Sequence, residues 1–167
     1  MIVGLDGAIG QLEYASFEQV DVRLANLACC RFSCSFASAS FSDVSFDESI
    51  FDTCNMTSAR FSNCGFRSSR ITAPTMDDAL FSNCSFSSAS LKGRGIKEYG
   101  GRRVAFQSCD FRNSQFRSLE FRACRFIDCK FDGASFEDCD LRGVKFEVCS
   151  PNFDQLVGCD TSGVVIV

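Results

Sequence analysis

Residues 104–131 read VAFQSCDFRNSQFRSLEFRACRFIDCKF, and in this stretch a phenylalanine recurs at every fifth position from Phe106 onward. The same frame continues to Phe146, occupies residues 36–91, and runs one residue out of phase over residues 12–32. These stretches contain 26 central positions, which hold 18 of the 19 phenylalanines. A period of five fits neither an α-helix, which repeats every 3.6 residues, nor a flat strand, which repeats every two.

A second register of small residues lies two positions before each centre, and the other three positions of each five are mostly polar. This pattern is typical of a chain that turns a corner every five residues, with the large and the small register inside. Four such sides close a square coil of about 20 residues, and successive coils stack at the strand spacing of about 4.8 Å. The sequence therefore predicts an all-β solenoid of about seven to eight coils, in which each coil buries its core against its neighbours.

The repeat resembles that of the pentapeptide-repeat family, whose units read small–polar–Leu/Phe–polar–polar. Residues 64–68 (CGFRS) and 134–138 (ASFED) match this unit well, and the resemblance covers roughly residues 10–149. It implies one domain, residues 1–167, folded as a right-handed quadrilateral parallel β-helix. The phenylalanine-rich centres and the cysteines at the small position look most similar to the quinolone-resistance, topoisomerase-protecting branch. That branch is implied to mimic DNA and to bind DNA gyrase.

The five-residue repeat is interrupted twice, and the residues at both ends of the sequence do not follow it. Phe32 and Phe36 are four residues apart, so a coil there should kink or shift, and a harmless deletion is the alternative. The glycine-rich segment 92–103 predicts a projecting loop, which either contacts a partner or is a solvated insertion. Residues 150–167 leave the register and predict a C-terminal cap or a dimerisation strand, since an open solenoid end must be covered. An N-terminal cap is expected at about residues 1–11.

The twelve cysteines and the absence of histidine limit the metal sites and catalytic sites that the sequence can form. Eleven of the twelve cysteines fall in the small inward register, and Cys29 does not. Buried thiols that act as small apolar fillers explain this placement, and such a load of free thiols suits a reducing cytoplasm. Without histidine or a Cys-x-x-Cys pair the sequence offers no zinc site, and it offers no catalytic triad or phosphate loop. We therefore expect no catalytic, cofactor or metal site, and a protein that is not an enzyme.

Charge is distributed unevenly along the chain, whose net charge is -4. Residues 92–125 carry a net charge of +6, and the rest of the chain carries -10. Coils of about 20 residues would stack Arg102, Arg122 and Arg142 in one column. Either a bound anion or acidic partner compensates this column, or the arginines splay into water. Acidic residues along the rest of the chain fit a DNA mimic, whereas the overall charge and the few exposed aromatics disfavour direct nucleic-acid binding.

Two functional hypotheses follow for this chain. The first, from the resemblance, is a DNA-mimicking protein of the quinolone-resistance type that binds DNA gyrase or topoisomerase IV. The second is a scaffold or interaction module that binds an unrelated protein through its basic segment. No apolar run is long enough for a membrane helix, so a cytoplasmic protein is expected, with a homodimer formed through its C-terminal end. The candidate partner-contacting residues are Arg94, Lys97, Tyr99, Arg102, Arg103, Arg122, Asp47, Asp52, Asp77, Asp132 and Glu137.

Overall fold

Short parallel strands build the whole fold in the computed structural model, which describes residues 2–3, 11–94 and 99–167. In chain order the strands are β1 Ile2–Val3, β2 Gln11–Ser16, β3 Asp21–Arg23, β4 Arg31–Ser35, β5 Ser40–Ser42, β6 Ile50–Asp52, β7 Arg60–Ser62, β8 Arg70–Thr72, β9 Leu80–Ser82, β10 Ser90–Lys92, β11 Ala105–Gln107, β12 Gln115–Arg117, β13 Arg125–Ile127, β14 Ser135–Glu137, β15 Lys145–Glu147, β16 Leu156–Val157 and β17 Val165–Ile166. A 3₁₀ turn at Phe153–Gln155 precedes β16. The described residues contain no helix with the length and apolarity needed to span a membrane.

The strands form two of the four sides of the solenoid. Odd-numbered strands make a nine-stranded sheet, the odd sheet, and even-numbered strands make an eight-stranded one, the even sheet. Single-residue bridges make the other two sides. The first bridge face includes Ser45, Gly65, Ser85, Asp110 and Lys130, and the second includes Asn55, Thr75, Gly100, Glu120, Asp140 and Asp160.

The register between neighbouring coils defines the repeat. Phe41 pairs with Phe61, and Phe126 pairs with Phe146, so the regular coil has the length of four pentapeptides. Seven coils lie between β3 and β17, five of them of this regular length, and β1 adds a further strand. The prediction of an all-β, quadrilateral parallel solenoid is confirmed.

Phenylalanine rings fill the axis of the solenoid. Rings on one side of successive coils stack face to face, as Phe61 does on Phe81 at 4.8 Å between ring centroids. Rings on adjacent sides of one coil meet edge to face, as Phe106 does with Phe111 at 5.3 Å. Both are the arrangements that the charge distribution of aromatic rings favours, and each buried ring contributes about 1.5–3 kcal/mol through burial alone.

The corners of the coil depend on left-handed backbone two residues after each centre. Ser58, Asn63 and Asp78 have φ values of 57°, 54° and 58°, and the same conformation recurs down each edge. Small polar side chains tolerate this conformation better than bulky ones. The polar positions of the repeat are therefore fixed by backbone geometry as well as by exposure to water.

The coil that contains Phe32 and Phe36 is one residue short. Asp21 pairs with Ser40 and Arg31 pairs with Ile50, an offset of 19 residues in place of 20. The absent residue is a corner residue, because β4 runs straight through the position where other coils have a positive φ. The expected shift is thus absorbed within one strand, and the stack continues.

The second interruption adds one pentapeptide. Leu80 pairs with Ala105, an offset of 25 residues, and the regular offset returns from Gly100 onward. Residue 92 still belongs to β10, and residues 99–103 follow the coil again; residues 95–98, which include Lys97, lie outside the described part. Gly101 occupies a central position. A Cβ there would lie 2.7 Å from the carbonyl carbon of Met76, so the backbone itself fills this side of the coil.

Candidate protein-binding surfaces

The sequence-predicted contact residues lie on three sides of the solenoid and do not form one surface. Asp47 and Asp132 lie on the first bridge face, and Asp52, Arg94 and Glu137 lie on or over the even sheet. The second bridge face and its corner hold Asp77, Arg102, Arg103 and Arg122. Tyr99 is half-buried and packs against the core.

An ion-pair ladder runs along the second bridge face. The predicted arginine column does form, but a parallel column of Glu120, Asp140 and Asp160 lies beside it. Arg102 contacts Glu120 at 2.9 Å, and Arg122 lies between Glu120 at 3.5 Å and Asp140 at 3.8 Å. Arg142 in turn lies between Asp140, at 2.5 Å, and Asp160, at 3.5 Å. The arginines are therefore compensated within the chain, and the column requires no external anion.

Hydrogen bonds from arginine favour the charged form of Asp140 in this ladder, although its side chain is mostly buried. The side chains of Glu120 and Asp140 are only 10% and 6% exposed. Arg142 donates two hydrogen bonds to Asp140 and holds the pKa of that carboxyl below its ordinary value. At the start of the ladder Arg103 pairs with Asp78 at 2.7 Å, and the backbone N–H of Arg102 donates to Asp77 at 2.8 Å. These contacts attach the lengthened coil to the coil before it.

The basic segment 92–125 does not form a basic belt. Its residues point to all four sides of the solenoid, and each described arginine in it contacts a carboxylate. The remaining pairs are Arg94 with Asp52, Arg112 with Asp110, Arg117 with Glu137, and Arg125 with Glu147. Of the described basic residues in the segment, Lys92 is the one without an ion pair.

The side formed by the first bridge face and its two corners is acidic, and it carries two of the predicted contacts, Asp47 and Asp132. Its six carboxylates are Asp43, Asp47, Glu48, Asp110, Asp128 and Asp132, and its three basic residues are Arg67, Arg112 and Lys130. Asp110 is neutralised by Arg112 at 2.6 Å, whereas Asp47 and Asp132 have no ion pair within the described part of the chain. We call this side the acidic side.

Stacked thiols line the interior of the same side. Cys64, Cys84, Cys109, Cys129 and Cys149 occupy one column, and each thiol donates to a phenylalanine carbonyl one coil away at 3.4–3.6 Å. Ten of the cysteines, all except Cys30 and Cys159, carry free thiols, and burial raises the pKa of the Cys124 thiol to about 12. Among the described residues no group of His, Cys, Asp or Glu is arranged to hold a metal ion.

The periodicity and the filled core agree with comparisons to known proteins. The family model for pentapeptide repeats, eight copies, matches residues 34–72, and that for the pentapeptide repeat region matches residues 102–166. The chain belongs to the pentapeptide-repeat family. A comparison with curated proteins gave no match.

Two solved pentapeptide-repeat structures show that the fold is shared. Trypsin-treated QnrB1, a plasmid-mediated fluoroquinolone resistance protein, is 15% identical, with a TM-score of 0.56, over 99% of this chain and 91% of that one. HetL, which is involved in heterocyst differentiation regulation in the cyanobacterium Nostoc sp. strain PCC 7120, is 14% identical, with a TM-score of 0.59, over 99% of this chain and 86% of that one. These similarities establish the architecture of this pentapeptide-repeat chain.

The C-terminal end of the pentapeptide-repeat solenoid is apolar. Phe153 is 88% exposed, and Val157, Ile166 and Val167 are also exposed. An open depression of about 310 Å³ is lined by Phe146, Pro151, Phe153, Leu156, Thr161, Val164 and Ile166. A row of exposed apolar side chains at a solenoid end is typical of a surface that another chain covers.

Sequence reasoning missed the carboxylate column, although a signal for it exists. Glu120, Asp140 and Asp160 are themselves spaced by 20 residues, and two of them precede an arginine of the column by two positions. Sequence reasoning also missed Arg70, which lies beside Lys92 on the even sheet. No periodic signal distinguishes Arg70 from other exposed arginines, because its role depends on what lies on the neighbouring coils.

Proposed function

We propose that the protein is a non-catalytic binding protein, and that a type II topoisomerase, DNA gyrase or topoisomerase IV, is its partner. The observation that carries the proposal is the acidic side: fixed carboxylates in two groups, at residues 43–48 and 110–132, on a filled rod. Fixed negative charges on a rod suit the positively charged channel in which a topoisomerase holds DNA. The fold shared with QnrB1, a fluoroquinolone resistance protein, supports the same partner.

Asp47, Glu48 and Asp132 are the carboxylates expected to matter most for this contact. They lie on the acidic side without an ion pair within the described residues, so their charge is available to a partner. The paired arginines of the second bridge face are a weaker candidate, since a partner would first have to replace their carboxylates. Arg94 remains a candidate contact, and Lys97 remains a candidate from the sequence, outside the described residues.

A supercoiling assay of DNA gyrase, with and without a quinolone, tests the proposal. We expect the protein at micromolar concentration to inhibit supercoiling or to restore it in the presence of the drug. The double variant D47N/E48Q should weaken this effect, because it removes two charges and keeps the acceptor oxygens. The matched control E18Q/D138N removes the same charge from other sides and should leave the effect unchanged. No effect of the wild-type protein would eliminate the topoisomerase proposal.

We also propose that the apolar C-terminal end, residues 150–167, forms a homodimer. Burying Phe153 and Ile166 against a second copy would remove two exposed apolar side chains from water. The variant F153S/I166S should sediment as a monomer where the wild type sediments as a dimer. A wild-type monomer at high protein concentration would contradict the dimer and would leave the topoisomerase assay unaffected.

The free thiols favour a reducing compartment, and we propose a cytoplasmic location on that ground. Ten free thiols in one chain are rare in oxidising compartments, where disulfides form and persist. Fractionation of cells that express the protein, with alkylation of free thiols before lysis, tests this location. Recovery of an oxidised protein outside the cytoplasm would contradict it.

A further inference from the structure

A shallow basic groove crosses the outer surface of the even sheet. One depression of about 530 Å³ is lined by Arg70, Thr72, Ser90, Lys92, Gly93 and Arg94. A second depression of about 230 Å³ is lined by Ser90, Lys92, Gln115, Phe116, Arg117 and Glu137. The two share Ser90 and Lys92, so they form one continuous groove over β8, β10 and β12.

Two positive charges in this groove are uncompensated. Arg94 reaches back across β8 to Asp52 at 2.6 Å, and Arg117 pairs with Glu137 on the next strand. Arg70 and Lys92 form no ion pair with any described residue. Lys92 lies directly beside Arg117 in the strand register, and Glu137 compensates only Arg117. An anionic ligand would compensate the charge of Lys92 as well.

The register fixes the backbone spacing of Arg70 and Lys92. Arg70 lies opposite Ser90, and Thr72 lies opposite Lys92, so Arg70 and Lys92 form a diagonal pair on one outward surface. From the spacing between strands and the rise along a parallel strand, the backbone positions of such diagonal neighbours are about 8 Å apart. In an extended peptide, residues i and i+2 point to the same side and lie about 6.8 Å apart. The pair thus matches two acidic side chains separated by one residue.

The groove also has fixed hydrogen-bonding groups and a rigid floor. The hydroxyls of Thr72 and Ser90 lie between the two charges. Gly93 forms part of the floor, and its N–H donates to the carbonyl of Arg117 at 2.9 Å. A Cβ at Gly93 would lie 2.0 Å from the Ser118 carbonyl oxygen, so the chain approaches closely here. The polar groups are therefore held in place before a ligand arrives.

We propose that this groove binds an extended acidic segment of a protein partner, with carboxylates at alternating positions on Arg70 and Lys92. The ends of the groove favour a short peptide over a nucleic acid, because Asp52 on β6 and Glu137 on β14 flank the positive strands on both sides. A continuous phosphate backbone would run into these carboxylates. The inference rests on the proposed role as a binding protein, but it uses a different side of the rod from the acidic side.

Fluorescence polarisation with a labelled peptide of alternating glutamate and serine tests the groove. We expect this peptide to bind the full chain more tightly than a peptide of alternating glutamine and serine. The variant R70Q/K92Q should weaken binding about tenfold, since it removes two charge pairs. The matched control R60Q/K145Q removes two unpaired charges from the odd sheet and should leave the affinity within about twofold.

Three results would overturn the proposal. The first is equal affinity for the two peptides, and the second is equal weakening of binding by the two double variants. The third is displacement of the glutamate peptide by a short single-stranded oligonucleotide whose own binding also requires Arg70 and Lys92. Circular dichroism of both variants establishes that they are folded. The gyrase assay of R70Q/K92Q separates the two proposals: a loss of peptide binding with topoisomerase inhibition intact supports the groove independently of the topoisomerase proposal.

Discussion

Left-handed corner residues are the single-residue requirement that this fold repeats most often. Most corners hold Ser, Asn, Asp or Gly, but Leu24 and Val148 also have φ values of 51° and 57°. A β-branched residue in this region is strained, because its branched Cβ crowds the following carbonyl. Val148 is 82% exposed, so no burial compensates the strain.

We expect Val148→Asn to stabilise the protein by about 1 kcal/mol, because Asn tolerates left-handed backbone and Val148 buries little surface. Urea unfolding followed by circular dichroism measures the change. Val148→Ala, which removes the branch but adds no preference for left-handed backbone, should give a smaller gain. A destabilised Val148→Asn variant would show that Val148 makes contacts that the isolated chain does not have.

Thiol reactivity is a second property of single residues. Cys29 occupies an exposed corner, Cys149 and Cys159 are half-buried, and the other nine cysteines are buried. Under native conditions we expect an aromatic disulfide reagent to react rapidly with one thiol, and Cys29→Ser to remove that rapid phase. Burial also raises the pKa of Cys124 to about 12, which keeps that thiol protonated and unreactive near neutral pH. Several rapid phases in the wild type would contradict the buried column.

At the scale of elements, ion pairs between neighbouring coils hold the strands and bridges of the solenoid together. The ion-pair ladder joins four successive coils of the second bridge face through Arg102, Arg122 and Arg142. Removing one partner of a buried pair leaves the other charge poorly solvated, so the ladder is expected to respond as a unit.

Asp140→Asn should destabilise the protein by about 1–3 kcal/mol at neutral pH, through the lost charge-assisted hydrogen bonds. The folded pKa of Asp140 lies below its unfolded value because Arg142 donates to it. This stabilisation is therefore present above the unfolded pKa of about 3.9, and it is lost as pH falls through the folded pKa. Thermal unfolding between neutral pH and pH of about 2 should show a smaller acid loss in Asp140→Asn than in the wild type.

The exposed pair between Asp21 and Arg23 provides the matched control for this experiment. It forms on one strand with a 3.0 Å contact, and both side chains are in water. Asp21→Asn should give no measurable change at neutral pH. Equal effects of the two substitutions would mean that burial of the ladder contributes nothing.

For the whole molecule, each coil must have four sides if it is to stack on the coils before and after it. The coil that contains the second interruption has 25 residues between paired positions, one pentapeptide more than its neighbours. Because Gly93 and Gly100 are hydrogen-bonded to the coils beside them, the added residues lie between these two positions. The rest of the solenoid keeps its four sides.

Deletion of residues 94–98 should therefore leave a folded protein that unfolds cooperatively at nearly the wild-type temperature, since it restores a coil of four sides. Deletion of residues 121–125 also removes five residues, but it leaves a coil of three sides and should prevent folding. Differential scanning calorimetry distinguishes the two. Loss of the cooperative transition on deletion of 94–98 would show that the added pentapeptide belongs to the core.

The sequence by itself determined what is inside and where the chain turns. Central residues such as Phe61, Phe81 and Phe106 are buried, as the five-residue repeat predicts. The repeat is visible within a few residues of sequence, so this prediction needs no knowledge of which residues lie on the neighbouring coils. The free thiols and the polar corners follow from the same period. The sequence shows that one residue is missing between Phe32 and Phe36. It does not show that the shortened coil forms by extending β4 through the missing corner.

Tertiary structure alone decided which charges are available. Arg102, Arg122 and Arg142 form a column that spacing predicts, yet their neutralisation by Glu120, Asp140 and Asp160 depends on how far side chains reach between coils. Arg94 pairs with Asp52 two coils away, whereas Arg70 and Lys92 form no ion pair with a described residue, because no carboxylate lies beside them on the neighbouring strands. Burial follows a local pattern, whereas ion pairing requires distances across the stack, which only the assembled solenoid fixes.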